Sequence, residues 1–190
     1  MTFKTIQTPL IALGIVGTLF LFVYLGGSSV LPSITGAPRL DTTEAPPSAS
    51  LIGQQSPYFD LPDISGTHVK LTQFSTTPII VVFWSTWNSQ AADQIQILDQ
   101  YIAHKSPEAQ LAPVVAINSQ EEKSLVSSFV SRGGYQVQVV LDTQGIATSQ
   151  YQIKSLPTFF FIDSTGIVRD VHAGVLSEKE LMDRVDRVLQ

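Results

Sequence analysis

The chain contains no cysteine in 190 residues. That absence removes disulfides, thiolate nucleophiles, cysteine-ligated zinc, iron–sulfur clusters and c-type haem attachment together. It does not fix the compartment, because an exported protein need not carry disulfides. Charge is sparse as well: 14% of residues are charged, 11 Lys and Arg against 16 Asp and Glu, for a formal net charge of -5. An acidic chain without clustered cations lacks the electrostatic footprint of a nucleic-acid binder. The three histidines, His68, His104 and His172, show neither i,i+4 nor His-x-His spacing. No metal ligand set is read from them, and no cofactor is expected. Mean hydropathy is nevertheless +0.19, which points to a localised apolar block.

Pro9 to Gly27 is that block: PLIALGIVGTLFLFVYLGG, nineteen residues without a charge. About 20 apolar residues cross a bilayer core. Lys4 precedes the run, and no Lys or Arg follows until Arg39. The positive-inside bias therefore predicts a cytoplasmic N-terminus (1–8), a single transmembrane anchor (9–27), and a domain on the extracytoplasmic face of the cytoplasmic membrane. A cleaved signal peptide is the competing reading, although no clear Ala-x-Ala site follows the run. Residues 28–52 are rich in Gly, Pro, Ser, Thr and Ala and lack apolar periodicity, the composition of a flexible linker. Anchor and linker are balanced in charge (Lys4 and Arg39 against Asp41 and Glu44), so the acid excess belongs to residues 53–190.

This remainder alternates strand-like and helix-like runs. Apolar alternation around Asp63-Ile64-Ser65-Gly66 predicts a small hairpin. The unbroken β-branched run from Pro78 to Trp84 reads as a strand buried on both faces. A helix from Ser89 to His104, with Ile95, Leu98, Tyr101 and Ile102 inward, precedes a second buried strand, Leu111 to Ile117. A helix over 121–131 follows, with Leu125, Phe129 and Val126 inward, ended by Gly133-Gly134. Val137 to Leu141 is a third strand and Thr143 to Tyr151 a short helix or turn. Asp142 and Gly145 read as turn residues. Thr158–Asp163 and Ile167–His172 flank Ser164-Thr165-Gly166 as a hairpin. Ser177 and Glu180 have capping-box spacing for a last helix with a Leu181, Val185, Val188, Leu189 stripe. This order implies an α/β sheet with helices on both faces.

The segments FDLPDISGTHVKL, IIVVFWSTWNSQAADQ, VVLDTQGIATSQYQI and SLPTFFFIDSTGIVRDVHAGVLSEKEL, in this order, resemble the thioredoxin-like superfamily. More narrowly, the chain is similar to the TlpA-type, membrane-anchored thiol-disulfide oxidoreductases (redoxins), some of which act in cytochrome c maturation. The resemblance spans about residues 53–190. It implies a three-layer α/β/α sandwich with an N-terminal β-hairpin extension, preceded by one transmembrane helix.

The resemblance fails where the chemistry belongs. The family writes Phe-Trp-x-x-Trp-Cys-x-x-Cys; this chain writes Phe83-Trp84-Ser85-Thr86-Trp87-Asn88-Ser89-Gln90-Ala91. Asn88 stands at the attacking position and Ala91 at the resolving one, with Ser89 and Gln90 between them. Gln94 replaces the acid–base glutamate, and Gln96 a common proline. Neither Asn nor Ala forms the mixed disulfide that exchange requires. Asn88 or Ser89 reads as a helix N-cap at a former reaction centre, and Ala91 as packing. Ser89 as a replacement nucleophile would need a base that no motif supplies. The resemblance also places Leu156-Pro157-Thr158 at the cis-proline loop, where the residue before the proline pairs its backbone with an extended substrate. Trp87 stands beside that loop, either exposed on the groove rim or partly packed in the core; Trp84 reads as core. The expected binding groove is thus Trp87, Asn88, Leu156, Pro157 and Thr158, with no catalytic residue. Three functions stay open. One is a non-catalytic module that binds a peptide or protein. Another is a redox pathway member acting only with cysteines from a partner. The last is a structural subunit of a membrane complex.

Overall fold

The structure is a computed structural model in which residues 47–103 and 112–189 are described. The expected anchor, the residues before it, most of the linker, Leu111 and His104 lie outside these. Among the described residues no helix is long and apolar enough to cross a membrane.

Strand β3 (Ile79–Trp84) organises the domain. All six of its residues are buried. A strand turns alternate side chains to opposite faces, so β3 feeds two separate cores. Ile80, Val82 and Trp84 enter one; Ile79, Val81 and Phe83 enter the other. Two short strands, β1 (Asp60–Pro62) and β2 (His68–Lys70), form the expected N-terminal hairpin ahead of it. After β3 come α1 (Ala91–Ala103), β4 (Val114–Ser119), α2 (Lys123–Gly133), β5 (Gln138–Asp142), α3 (Ile146–Gln150), β6 (Thr158–Ile162), β7 (Val168–Ala173) and α4 (Glu178–Leu189). The main sheet has the order β5-β4-β3-β6-β7. β3, β4 and β5 run parallel, whereas β6 and β7 are antiparallel to their neighbours.

The two faces are covered unequally. On one, α1 contributes Ile95, Leu98 and Tyr101, α2 contributes Val126 and Val130, and α4 contributes Leu181 and Val185. On the other, the five-residue α3 is the helical cover, through Ala147 and the following Tyr151, and the N-terminal segment supplies Leu51, Phe59 and Val69. The layer expected to be helical is therefore largely built by the N-terminal segment. Tyr151 anchors it: its hydroxyl donates to the Pro57 carbonyl (2.8 Å) and meets Ser56 Oγ (2.7 Å), while its ring packs edge-on against Phe160.

Three details correct the sequence reading. Pro47–Leu51, expected in the linker, forms a 3₁₀ turn and buries Ser48 and Leu51, and Gly53 N–H then donates to Val168 O. Strand β4 runs to Ser119, two residues beyond the expected Ile117. Helix α2 begins at Lys123, so its inward face is Val126 and Val130, with Phe129 half-buried against Trp84; Leu125 is 47% exposed. Ser177 and Glu180 do form their box: Ser177 N–H and Oγ both donate to Glu180 Oε2.

Both hairpins turn on the same device. Asp63 Oδ1 accepts the N–H groups of Ser65, Gly66 and Thr67, and Asp163 Oδ1 those of Thr165 and Ile167. Gly66 and Gly166 supply the positive φ, 99° and 82°, that each tight turn needs. Burial opposes ionisation of Asp163, but the Thr165 hydroxyl, these N–H groups and Arg169 hold its carboxyl down at about 2.

A depressed carboxylate contributes stability above its unfolded value of about 3.9, and loses it as pH falls through the folded value. Unfolding free energy should therefore drop between about pH 4 and pH 2, and Asp163→Asn should flatten that limb in a urea series. On α2, Val126→Ala should cost about 2 kcal/mol through an unfilled cavity. Leu125→Gln should stay within about 0.5 kcal/mol, which urea unfolding also reads.

Candidate functional site

The C-terminal end of β3 points the chain into the loop 85–90, which enters α1. Asn88 holds this entry. Its Oδ1 accepts the N–H of Gln90 at 2.8 Å, and its carbonyl accepts that of Ala91 at 3.0 Å. Asparagine suits the place because its short amide bonds to the backbone two residues on. The other end of the same amide does something a hydroxyl cap would not. Asn88 Nδ2 donates to Leu156 O at 2.7 Å, tying the start of α1 to the loop before β6. Within that loop the Leu156–Pro157 peptide is cis, and Pro157 O accepts the N–H of Gly174.

The remaining expected positions separate. Ala91 is buried in the α1 core, whereas Ser89 and Gln90 face solvent. Gln94 is 1% exposed and turns away from the loop, towards the segment before α4. Its Oε1 accepts the Leu176 N–H (2.8 Å), and its Nε2 donates to the Leu176 carbonyl (3.4 Å). A neutral amide serves both groups at once, whereas an ionised carboxylate has no donor. Thr158 is 1% exposed and donates its hydroxyl to Ser155 O, and Pro157 is buried as well. Both therefore support the expected groove from beneath and do not line it. Trp87 is 71% exposed, which settles it on the rim and not in the core. Together with Leu156 it borders a cavity of about 240 Å³.

Sequence reading overlooked Glu121. It is only 9% exposed and sits directly under the loop. It accepts from Thr86 N–H (2.6 Å), Thr86 Oγ1 (2.5 Å) and Asn118 Nδ2 (2.6 Å). The signal available was an acidic residue three positions after Asn118, at the end of a buried strand. Asp142 is likewise buried and committed, accepting from Ala147 N–H and from Thr148 N–H and Oγ1. His68 lies on β2 against Asp60, and His172 on β7 between Arg184 and the Val175 carbonyl.

A central strand ending in a capped helix, a cis-proline loop held against that cap, and an antiparallel pair beyond it define a thioredoxin-like protein, here without its redox sulfur. The chain belongs to the AhpC/TSA family, whose model matches residues 52–171. It is 30% identical over 137 residues to the thiol-disulfide oxidoreductase ResA of Bacillus subtilis, covering 72% of this chain and 75% of that one. It is 25% identical over 179 residues to the thiol:disulfide interchange protein DsbE of Xylella fastidiosa, covering 93% and 84%. Among solved structures it is similar to a Chlorobium tepidum protein described as a thiol:disulfide interchange protein DsbE. That match has 25% identity and a TM-score of 0.66, over 73% of this chain and 98% of the other.

Asn88→Asp and Gln94→Glu keep the shape of each side chain and remove its donor. Gln94→Glu should cost about 3 kcal/mol at neutral pH, and Asn88→Asp, half-exposed, about 1 kcal/mol. A buried glutamate facing a carbonyl has a folded pKa above its unfolded one, so the Gln94→Glu deficit should shrink as pH falls towards about 4. Paired urea titrations at pH 7 and pH 4.5 read both effects.

Proposed function

We propose that this chain is a membrane-tethered, extracytoplasmic member of the family that holds a polypeptide and does not exchange disulfides. The observation that carries this reading is the Asn88 side chain. Where relatives are named for thiol-disulfide chemistry, this position is occupied by an amide whose two ends are both engaged, by Gln90 N–H and by Leu156 O. A helix N-terminus lowers the pKa of a cysteine placed there and makes it a nucleophile. An asparagine uses the same N–H groups as a cap and has no sulfur with which to form a mixed disulfide. Ala91 and Gln94 are likewise absorbed into packing and into backbone pairing with Leu176. What stays open to solvent is the recognition side: Trp87, and a cavity bordered by Leu156. The uncharged run 9–27 supports the tether.

The wild-type chain should leave insulin disulfides at the uncatalysed rate, with or without membrane extract. Reduction above background that depends on the chain would overturn the reading in favour of redox action through a partner's cysteines. Asn88→Cys combined with Ala91→Cys should bring back measurable exchange, because the helix-end setting that activates a thiolate is intact.

A further inference from the structure

We infer that the groove beside Trp87 takes an extended polypeptide segment that sets an acidic side chain on Lys154. This rests on the binding reading above and names the chemistry of the occupant.

Backbone comes first. Leu156 O accepts one hydrogen bond, from Asn88 Nδ2. A carbonyl has a second lone pair, so it can accept another. The Leu156 N–H has no partner among the described residues. A donor and an acceptor left on one loop residue are what an added strand pairs with. The apolar anchors come next. Trp87 is 71% exposed. It borders the cavity with Ile153 and Leu156, and Gln120 and Thr148 complete the lining beside them.

Charge then selects the segment. Among the described residues, Lys154 is the one charged side chain bordering this cavity. Two neighbouring carboxylates are buried and engaged, Asp142 by Ala147 and Thr148, Glu121 by Thr86 and Asn118; Glu122, which is exposed, does not border the cavity. No ion pair of Lys154 exists among the described residues. An uncompensated cation on an apolar rim favours an anionic partner and disfavours a cationic one. Lys154, Trp87 and Leu156 border the same cavity. A segment laid across it, at about 3.3 Å per residue, therefore carries a large apolar residue with Asp or Glu within two or three positions of it.

The test presents a displayed library of random decapeptides to the full chain in detergent. Recovered peptides should be enriched in Asp or Glu within two or three positions of a large apolar residue. Lys154→Glu should weaken those peptides roughly tenfold and shift the enrichment to Lys and Arg, and Lys154→Gln should lie between. Trp87→Ala should weaken all peptides alike. Peptides recovered without acid preference, or with a preference that Lys154→Glu leaves unchanged, overturn this inference and leave the binding reading standing. No peptide recovered by any variant overturns both. Retention on phosphatidylglycerol vesicles with no peptide enriched assigns the cation to lipid and overturns the inference.

Discussion

The double burial of β3 is the constraint on which everything else in the domain hangs. Six consecutive apolar residues must all leave water, and a strand can hide both faces only between two layers. Three helices make one layer, and α3 with the N-terminal segment makes the other. Because β3 is central, its C-terminal end is also the deepest point of the sheet edge. The loop it launches is backed by β4 on one side and by β6 on the other. Thr86 is fixed by Glu121 from beyond β4, and Asn88 by Leu156 from before β6. A site held from both neighbours is rigid without needing a covalent bridge.

The absence of sulfur goes with a coherent local arrangement. The three positions at which the resemblance expects thiol chemistry carry neutral groups, each absorbed into the fold. Asn88 caps and bridges, Ala91 fills a core position, and Gln94 serves a backbone N–H and a carbonyl together. None of the three carries sulfur or a charge. All three together also remove the buried charge and the desolvation penalty that an acid–base carboxylate carries. What they leave in solvent is Trp87, beside a cavity bordered by Leu156.

Much of this was legible in the chain. Asp63-x-Ser-Gly and Asp163-x-Thr-Gly announced both turns, because an aspartate two residues before a hydroxyl and three before a glycine is local chemistry. The same is true of Ser177 with Glu180. Leu125 was misread because helical spacing alone admits 125, 126 and 129 on one face, and only packing against the sheet buries Val126 and Val130, half-buries Phe129 and leaves Leu125 in solvent. Pro47–Leu51 was read as linker because its composition is that of a coil. It is ordered instead by Val168 and Gln152, partners more than a hundred residues away. Glu121 was passed over because its significance lies in facing Thr86, across the sheet.

By itself the sequence determined the strand order's raw material, the two hairpin turns, the absence of cysteine, and the expectation of a cap at Asn88 or Ser89. Each follows from residue type and short-range spacing. Tertiary structure alone decided that the free end of the Asn88 amide meets Leu156, that Gln94 faces Leu176, that Trp87 stands in solvent, and that Thr158 does not. Those outcomes depend on which loops the sheet brings within about 3 Å of one another, and hydrogen-bond distance is a property of the assembled fold that no local pattern encodes.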